Sequence, residues 1–327
     1  MKTYTTLRNG TAGFCNVSTS DTTKMTTLDG YINDSILTIC NLQGGKLRFL
    51  EATKDMTTVA SQSSYQIPAK FRKLIDLYVF SGSASTDTLY SPEMIFDPTR
   101  WKNVLQAKLG ESSTPYFSYV EDQKFYLYPT PSTTGNLITL RGRVNIPVLS
   151  IADYSTGTIT SIANGDTTVT ASGSTFTADM VGRYINIPQT TAALGGDGLW
   201  YEIGSYTSAT VIDLLKPYEG TTIAAGSASY TIGQVPVIPE AYQPAILYRS
   251  SALYWMNQND LTRAQTYWML YDGGNEAGLN RDYGGLISQM LANEGETEEG
   301  AYIPPAGQNS LNQDPYYDSY QNASGLT

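Results

Sequence analysis

Carboxylates are the side chains of this chain that could carry acid and base chemistry, because histidine is absent. Two carboxyl groups about 5 to 10 Å apart are sufficient to hydrolyse a glycosidic bond. No spacing selects such a pair here, and charged side chains are mostly solvated. We therefore interpret the internal candidates as surface or turn residues: Glu51, Asp55, Glu93, Asp97, Glu202 and Glu219.

The absence of histidine also removes the imidazole of Ser and Cys triads and the commonest metal ligand. Cys15 and Cys40 form no Cys-x-x-Cys pair, and we expect both to be small buried apolar residues. Asp21, Asp29 and Asp34 do not follow the alternation of a calcium-binding EF-hand loop. The sequence therefore predicts no catalytic residue, no metal site, no cofactor and no enzymatic activity.

Glycine-rich and aromatic stretches are the remaining candidates for a ligand site. Residues 195–198 (Gly-Gly-Asp-Gly) lack the Lys-Ser/Thr of a phosphate-binding loop, and we interpret them as a loop tip. We interpret the tyrosine-rich runs 116–119 and 125–128 as alternating core residues of strands; the alternative is a sugar-stacking face. Trp200 and Tyr201 are predicted to be exposed and to contact a partner.

The overall composition indicates a folded protein that is not a general nucleic-acid binder. Hydrophobic residues make up 41% of the 327 positions, enough to bury a full core. Charged residues make up only 15%, and the net charge of -10 disfavours neutralisation of phosphates. The beginning of the chain lacks the apolar run of a signal peptide, and no stretch of about 18 apolar residues could cross a membrane. We expect a soluble protein made in a cytoplasm.

A β-rich region lies between helical regions, and this layout indicates a part of a larger assembly. Residues 151–234 contain short runs of β-branched and aromatic residues separated by turn formers such as Asn164-Gly165, typical of antiparallel strands. Helical periodicity predicts helices on both sides of it. These helices are expected at residues 5–16, 27–42, 239–256, 260–271 and 285–292.

Smaller strands and one further helix are predicted between the second helix and the β-rich region. Ser91-Pro92-Glu93 resembles a capped helix start, so we expect a helix from there to residue 109, bent or interrupted at Pro98. A small meander is expected to end the segment. The predicted strands are 48–60, 64–67, 73–80, 86–90, 116–120, 124–128 and 137–145.

These elements predict an α+β fold with four parts. A helical core, formed by the N-terminal helices and a C-terminal helix pair, carries a small antiparallel β meander and an inserted antiparallel β domain, similar to a sandwich or barrel. The parts are 1–150 for the first half of the core, 151–234 for the insert, 235–293 for the helices that complete the core, and 294–327 for an extended acidic tail.

The tail combines acidic residues with tyrosines and prolines and contains no lysine or arginine. Such a segment is typical of a peptide that docks on a partner as an added strand or in a groove. The residues expected to make this contact are Tyr302, Ile303, Pro304, Pro305, Tyr316, Tyr317 and Tyr320.

Several short segments form an ordered set along the chain, and their order carries the specificity. In the core they are residues 3–8 (Thr-Tyr-Thr-Thr-Leu-Arg), 28–36 (Leu-Asp-Gly-Tyr-Ile-Asn-Asp-Ser-Ile), 65–74 (Tyr-Gln-Ile-Pro-Ala-Lys-Phe-Arg-Lys-Leu), 125–131 (Phe-Tyr-Leu-Tyr-Pro-Thr-Pro), 138–143 and 237–240 (Val-Ile-Pro-Glu). In the insert they are residues 175–185, 200–203 and 217–222. Taken in order, the core segments resemble the head-to-tail adaptor (connector) proteins of tailed bacteriophages, and the insert segments resemble a β module of such virion proteins.

The resemblance implies a structural virion protein that forms a ring of twelve copies under the portal. It implies contacts with the portal protein, with neighbouring copies and with the next tail or nozzle protein, while DNA passes through the channel without specific binding. The protein would be assembled in the host cytoplasm and located in the neck of the virion. The alternative is a tail-fibre or baseplate component whose insert binds a host glycan.

Overall fold

The computed structural model describes residues 1–106, 114–189, 196–273 and 285–294. In these ranges α-helices and mainly antiparallel sheets occur together, which confirms the predicted α+β class. The helices are α1 (Tyr4–Phe14), α2 (Thr22–Cys40), α3 (Pro98–Gln106), α4 (Pro244–Asn257), α5 (Leu261–Asp272) and α6 (Leu286–Glu294).

The first two helices form where periodicity predicts them, and side-chain caps set where they begin. The Thr3 hydroxyl accepts a bond from the Thr6 amide at the start of α1. Asp21 accepts one from the Lys24 amide, so α2 begins at Thr22, earlier than residue 27. A carboxylate at this position satisfies an amide that has no partner within the helix.

The predicted C-terminal helices are present as α4, α5 and α6. Pro244 occupies the first turn of α4, where its missing amide hydrogen costs no helical bond. Asn259 has a φ of 59° and turns the chain, and Asp260 caps α5 by accepting from the Arg263 amide at 3.1 Å. Residues 259–260 therefore form the turn and the cap between two packed helices.

Helices from both ends of the chain share one core. α2 packs on α4, where the buried hydroxyls of Ser35 and Ser250 lie 3.0 Å apart and Arg249 donates to Asp34 at 2.7 Å. Burial of apolar surface stabilises this layer by roughly 25 cal/mol per Å². The fully buried members include Leu7, Ile32, Ile39, Leu47, Ala245, Ile246 and Met290.

Two four-stranded sheets follow α2. The strands before the insert are β1 (Glu51–Thr57), β2 (Ser64–Gln66), β3 (Phe71–Phe80), β4 (Leu89–Tyr90), β5 (Glu93–Ile95), β6 (Phe117–Glu121), β7 (Lys124–Tyr128) and β8 (Leu137–Val144). The first sheet has the order β1-β8-β3-β4 and the second has the order β2-β7-β6-β5. The expected single meander of the last three strands is wrong, because β7 and β8 lie in different sheets.

The helix predicted from Ser91 is also wrong. Glu93–Ile95 forms β5 instead, paired in parallel with β6, and Pro98 begins α3 rather than bending a helix. Asp97 caps that helix, since its carboxylate accepts from the Thr99 amide at 2.9 Å. The extended pairing satisfies the backbone of residues 93–95, and the pair Asp97-Pro98 supplies the true helix start.

The β-rich region forms a seven-stranded sheet. Its strands are β9 (Thr158–Ile162), β10 (Thr168–Ser172), β11 (Tyr184–Asn186), β12 (Trp200–Ser208), β13 (Val211–Leu214), β14 (Ile223–Ala228) and β15 (Thr231–Gly233). Their order is β14-β9-β10-β13-β12-β11-β15, and every pairing is antiparallel. The sheet has its own buried cluster, including Ile159, Val169, Phe176, Ile185, Ile212 and Ile232. The boundaries 151–234 stay a prediction.

The start of the chain holds the two connections to this β region against the helices. The Tyr4 amide donates to the Gln234 carbonyl at 2.8 Å, and the Thr3 hydroxyl donates to Asp153 at 2.7 Å. The Gln234 side-chain oxygen accepts from the Ser150 and Ile151 amides, both at 2.8 Å. We call this set of contacts the junction; it joins both connections to the N-terminus of α1.

Both cysteines are free and buried, as predicted. Burial raises the pKa of Cys15 to about 11 and that of Cys40 to about 12. The thiolate is the reactive form, so both thiols are poor nucleophiles at neutral pH.

Among the described residues, no helix is long and apolar enough to span a membrane.

Candidate interaction surfaces

Trp200 and Tyr201 occupy opposite faces of β12. Trp200 is half-buried opposite Asn186 of β11, whereas Tyr201 is only 8% exposed and belongs to the core of the sheet. Its hydroxyl donates to Asp197, and burial is the main cause that raises its pKa to about 12. The expectation of an exposed Tyr201 is wrong, because successive strand side chains point to opposite faces. A partner contact of Trp200 stays a prediction.

The predicted docking residues of the tail, Tyr302, Ile303, Pro304, Pro305, Tyr316, Tyr317 and Tyr320, lie outside the described residues. Their role therefore stays a prediction based on the sequence.

Most of the candidate carboxylates have structural partners. Glu51 pairs with Arg141 at 2.5 Å, Glu93 pairs with Arg100 at 2.5 Å, and Asp97 caps α3. Asp55 accepts from the Thr139 hydroxyl, Glu202 accepts from Tyr184, and Glu219 is exposed. Exposed ion pairs of this kind contribute about 0–1 kcal/mol each. The geometry of these groups fits surface roles.

The candidate metal ligands are likewise engaged in the fold. Asp21 caps α2, Asp29 accepts from Arg8 at 2.8 Å, and Asp34 accepts from Arg249. Among the residues that the structure describes, no group of three or more His, Cys, Asp or Glu could hold a metal ion. Asp197 of the glycine-rich loop is bonded to Tyr201.

The tyrosine-rich strands are partly core and partly surface. Phe125 is fully buried and Tyr119 nearly so, whereas Tyr116 is 56% exposed. Trp101 of α3 stacks on Tyr119 with ring centroids 5.3 Å apart and an interplanar angle of 13°. Trp101 is not among the residues predicted from the sequence; its position in the first turn after Pro98, beside a tyrosine-rich strand, is the signal that identifies it.

An aromatic cleft lies between the end of α1 and the start of α5. It has a volume of about 370 Å³ and contains Phe14, Trp255, Arg263 and Tyr267. The Phe14 carbonyl accepts from the Trp255 indole at 3.3 Å and from the Tyr267 hydroxyl at 3.1 Å. The Arg263 guanidinium lies 4.3 Å from the Trp255 ring centroid. The rings thus pack between helices but leave an open side.

The open side continues along α5. Arg263, Thr266, Tyr267 and Leu270 are spaced i, i+3, i+4 and i+7, so they share one face of the helix. Leu270 is 47% exposed on this face. Together with Phe14, which is 40% exposed, these residues form what we call the cleft face. An exposed apolar patch with an arginine and aromatic residues is the composition enriched in protein interfaces.

The comparison with protein families gives one match. The family model for the SU10 adaptor protein matches residues 2–171, which include α1, α2, both four-stranded sheets, α3 and the first two strands of the insert. No curated protein matches the chain. Because the match covers more than half of the 327 residues, the chain belongs to the SU10 adaptor protein family and is a structural adaptor of a bacteriophage.

Proposed function

We propose that this chain is the head-to-tail adaptor that forms a ring under the portal, joins the capsid to the tail and lines the channel through which DNA leaves. The observation that carries the proposal is the family match over residues 2–171. The proposed partners are the portal protein, neighbouring copies of the chain and the next tail or nozzle protein. The proposed location is the neck of the virion, after assembly in the host cytoplasm.

The role is structural, and we propose no catalysis. The carboxylates considered above are used in ion pairs, caps and hydrogen bonds of the fold. Both thiols are buried and have raised pKa values. These observations support an adaptor that acts by binding other proteins through its surfaces.

The charge of the chain suits a DNA channel. A net charge of -10 per copy, repeated around a closed ring, makes a strongly acidic assembly. Repulsion between this charge and the phosphates reduces adhesion, so DNA passes without specific binding.

Contacts between copies are proposed to use the cleft face. It joins exposed apolar side chains, Phe14 and Leu270, to the aromatic cleft and Arg263. In a ring each copy contacts its two neighbours through two different surfaces. The same contact is therefore repeated around the ring, and closure of the ring stabilises the assembly more than one contact would.

The tail is proposed to reach a neighbouring subunit or the portal through Tyr302–Pro305 and Tyr316–Tyr320 in the assembled neck. Deletion of residues 296–327 tests this role. We expect the deletion to weaken assembly on the portal; unchanged assembly would show that the tail is dispensable for it.

Native mass spectrometry of the purified chain, alone and mixed with its portal, tests the function itself. We expect a closed ring of many copies or a defined complex with the portal. A monomer or trimer indifferent to the portal would contradict the adaptor and favour the tail-fibre or baseplate role. In that case Trp200→Ala is expected to abolish binding on a glycan array.

A further inference from the structure

Basic side chains gather at one end of the first sheet, on a chain whose net charge is strongly negative. All but one are exposed, and they come from the turn after α2, from the start of β3 and from the end of β8. We call them the basic surface: Lys46, Arg48, Lys70, Arg72, Lys73 and Arg143.

Backbone pairing and local contacts bring these residues together. Lys73 of β3 lies opposite Arg143 of β8. The Arg72 guanidinium donates to the Asn41 side chain at 2.7 Å and lies against Gly45, next to Lys46. Lysine and arginine thus continue from the sheet onto the turn that follows α2.

The basic surface has a net excess of positive charge. Glu51 is the acidic residue opposite Arg143, and it pairs with Arg141. Lys46, Arg48 and Arg143 have interactions of their own within the subunit. The basic surface therefore attracts an acidic segment through its positive electrostatic field, and this attraction does not require unpaired basic groups.

The complementary negative charge lies in the part of the tail that follows α6, residues 295–327. Residues 295–327 contain five acidic residues and no basic ones: Glu296, Glu298, Glu299, Asp314 and Asp318. Without these five, the chain has 25 acidic and 20 basic residues, so half of the net charge of -10 lies in the last 33 positions.

The tail begins at the end of the molecule that has the basic surface. α2 runs antiparallel to α4, since Ser35 contacts Ser250 while Met25 and Tyr254 share a cluster nearer the other end. The end of α2 and the start of α4 are therefore neighbours. α6, which leads into the tail, packs there, with Asn293 donating to Tyr242 at 2.8 Å.

We propose that, in the unassembled subunit, residues 295–327 lie on the basic surface of their own chain. A segment of 33 residues reaches up to roughly 110 Å when extended, so the surface is within range. Attachment to the same chain raises the local concentration of the tail to about the millimolar range, which favours a contact within the chain over one between chains. The tail then covers the positive part of a protein that DNA must pass without adhering.

Zero-length crosslinking of carboxylates to amines in the full chain tests this inference. Unlabelled and nitrogen-15-labelled chains are mixed, crosslinked with a carbodiimide and analysed by mass spectrometry. We expect crosslinks from Glu296, Glu298 or Glu299 to Lys46, Lys70 or Lys73 within one isotopic chain. Their yield is expected to fall by more than half at about 1 M salt, where charges are screened over roughly 3 Å.

Matched variants supply the controls. Replacing Glu296, Glu298 and Glu299 by Gln removes the reactive carboxylates and gives the background. Arg72→Gln keeps every reactive carboxylate and lysine but lowers the positive charge of the basic surface, so it is expected to reduce the crosslink yield. The exposed lysines Lys102 and Lys216 are expected to give no crosslinks with the tail. Crosslinks between differently labelled chains, or tail crosslinks spread evenly over all lysines, would overturn the proposal.

A gel-shift measurement with duplex DNA tests the alternative that the basic surface binds nucleic acid instead of the tail. We expect no shift with the full chain and a shift with the variant that carries Gln at the three glutamates. A shift with the unmodified chain that is lost after Lys46, Lys70 and Lys73 are changed to Gln would assign the surface to nucleic acid instead. None of these measurements depends on ring formation, so their failure would leave the adaptor role untouched.

Discussion

Gly142 is the residue at which the packing of the first sheet leaves least room. A Cβ atom added there would lie 2.7 Å from the Lys73 carbonyl and 2.9 Å from the Phe71 ring. We expect Gly142→Ala to lower the free energy of unfolding by about 1–3 kcal/mol, because β3 and β8 must separate. Unfolding in urea measures this change in the free energy of unfolding.

Gly30 provides the matched control for this glycine. It lies exposed within α2, and nothing is within 4 Å of an added Cβ. Gly30→Ala is expected to raise stability by about 0.5–1 kcal/mol through helix propensity alone. Equal effects of the two substitutions would contradict the close contact at Gly142.

Asp213 makes the stability of the insert depend on pH. Its carboxylate accepts from the hydroxyls of Thr168, Thr207 and Ser205 at 2.9, 2.9 and 3.0 Å, and these bonds hold its pKa below the ordinary value. A lowered pKa adds stability that is present above the unfolded value, about 3.9, and is lost as the pH falls through the folded value.

Asp213→Asn is therefore expected to cost about 0.5–1 kcal/mol at neutral pH, a small value because the group is largely solvated. The difference from the unmodified chain should shrink below about pH 4. Thermal unfolding as a function of pH measures it, with the exposed Asp179→Asn as control. A difference that stays constant with pH would rule out the charged form as its cause.

At the scale of elements, the junction determines how the insert is held. The Gln234 side chain joins the two connections by accepting from the Ser150 and Ile151 amides. Gln234→Ala removes both bonds but keeps the bond from the Tyr4 amide to its carbonyl. We expect faster hydrogen exchange at Ser150 and Ile151 by about tenfold, since losing a hydrogen bond costs roughly 1 kcal/mol or more.

Hydrogen exchange followed by mass spectrometry checks this prediction, with the exposed Gln265→Ala as control. Unchanged exchange at residues 147–153 would mean that the remaining hydrogen bonds, those of Asn33 with Leu149 and of Thr3 and Thr5 with Asp153, are sufficient to hold the connection.

The elements that the sequence predicts well are those with local signals. α2, α4 and α5 have helical periodicity, and α5 begins at its Asp260 cap, where it is predicted. The Asp21 cap and Pro244 set the starts of α2 and α4, which differ from the predicted residues 27 and 239. The strands of the insert have turn residues at their ends. In both cases the deciding interactions lie within a few residues of each other.

The errors occur where pairing is non-local. β6 and β7 find their other partners in β5 and β2, and β8 inserts between β1 and β3, which no local pattern indicates. The start of α3 has a local signal in Asp97-Pro98, but Ser91-Pro92-Glu93 has the same type of signal and forms no helix start. Among the site residues, alternation along β12 could place Trp200 and Tyr201 on opposite faces but not determine which one faces the core.

At the scale of the whole molecule, the cleft face allows a test of the proposed contacts between copies. Leu270→Asp places a charge in a surface that we expect to be buried in the ring, so it should shift the ring toward free subunits by at least tenfold in dissociation constant. Native mass spectrometry and analytical ultracentrifugation measure the shift.

Gln265→Asp is the matched control, because residue 265 is exposed on another side of α5. Circular dichroism should give the same folded spectrum for both variants. Equal assembly of the two would place the contact between copies elsewhere on the molecule.

The two connections of the insert meet where it joins the core. Tyr154 and Ile232 exchange backbone bonds at 2.8 and 2.7 Å, so the chain leaves the insert beside the place where it enters. A gene could therefore gain, lose or exchange the intervening codons in a single recombination event without separating the ends that the core must hold. The sequence of the β-rich region can therefore change without a matching change in the helices and the two four-stranded sheets.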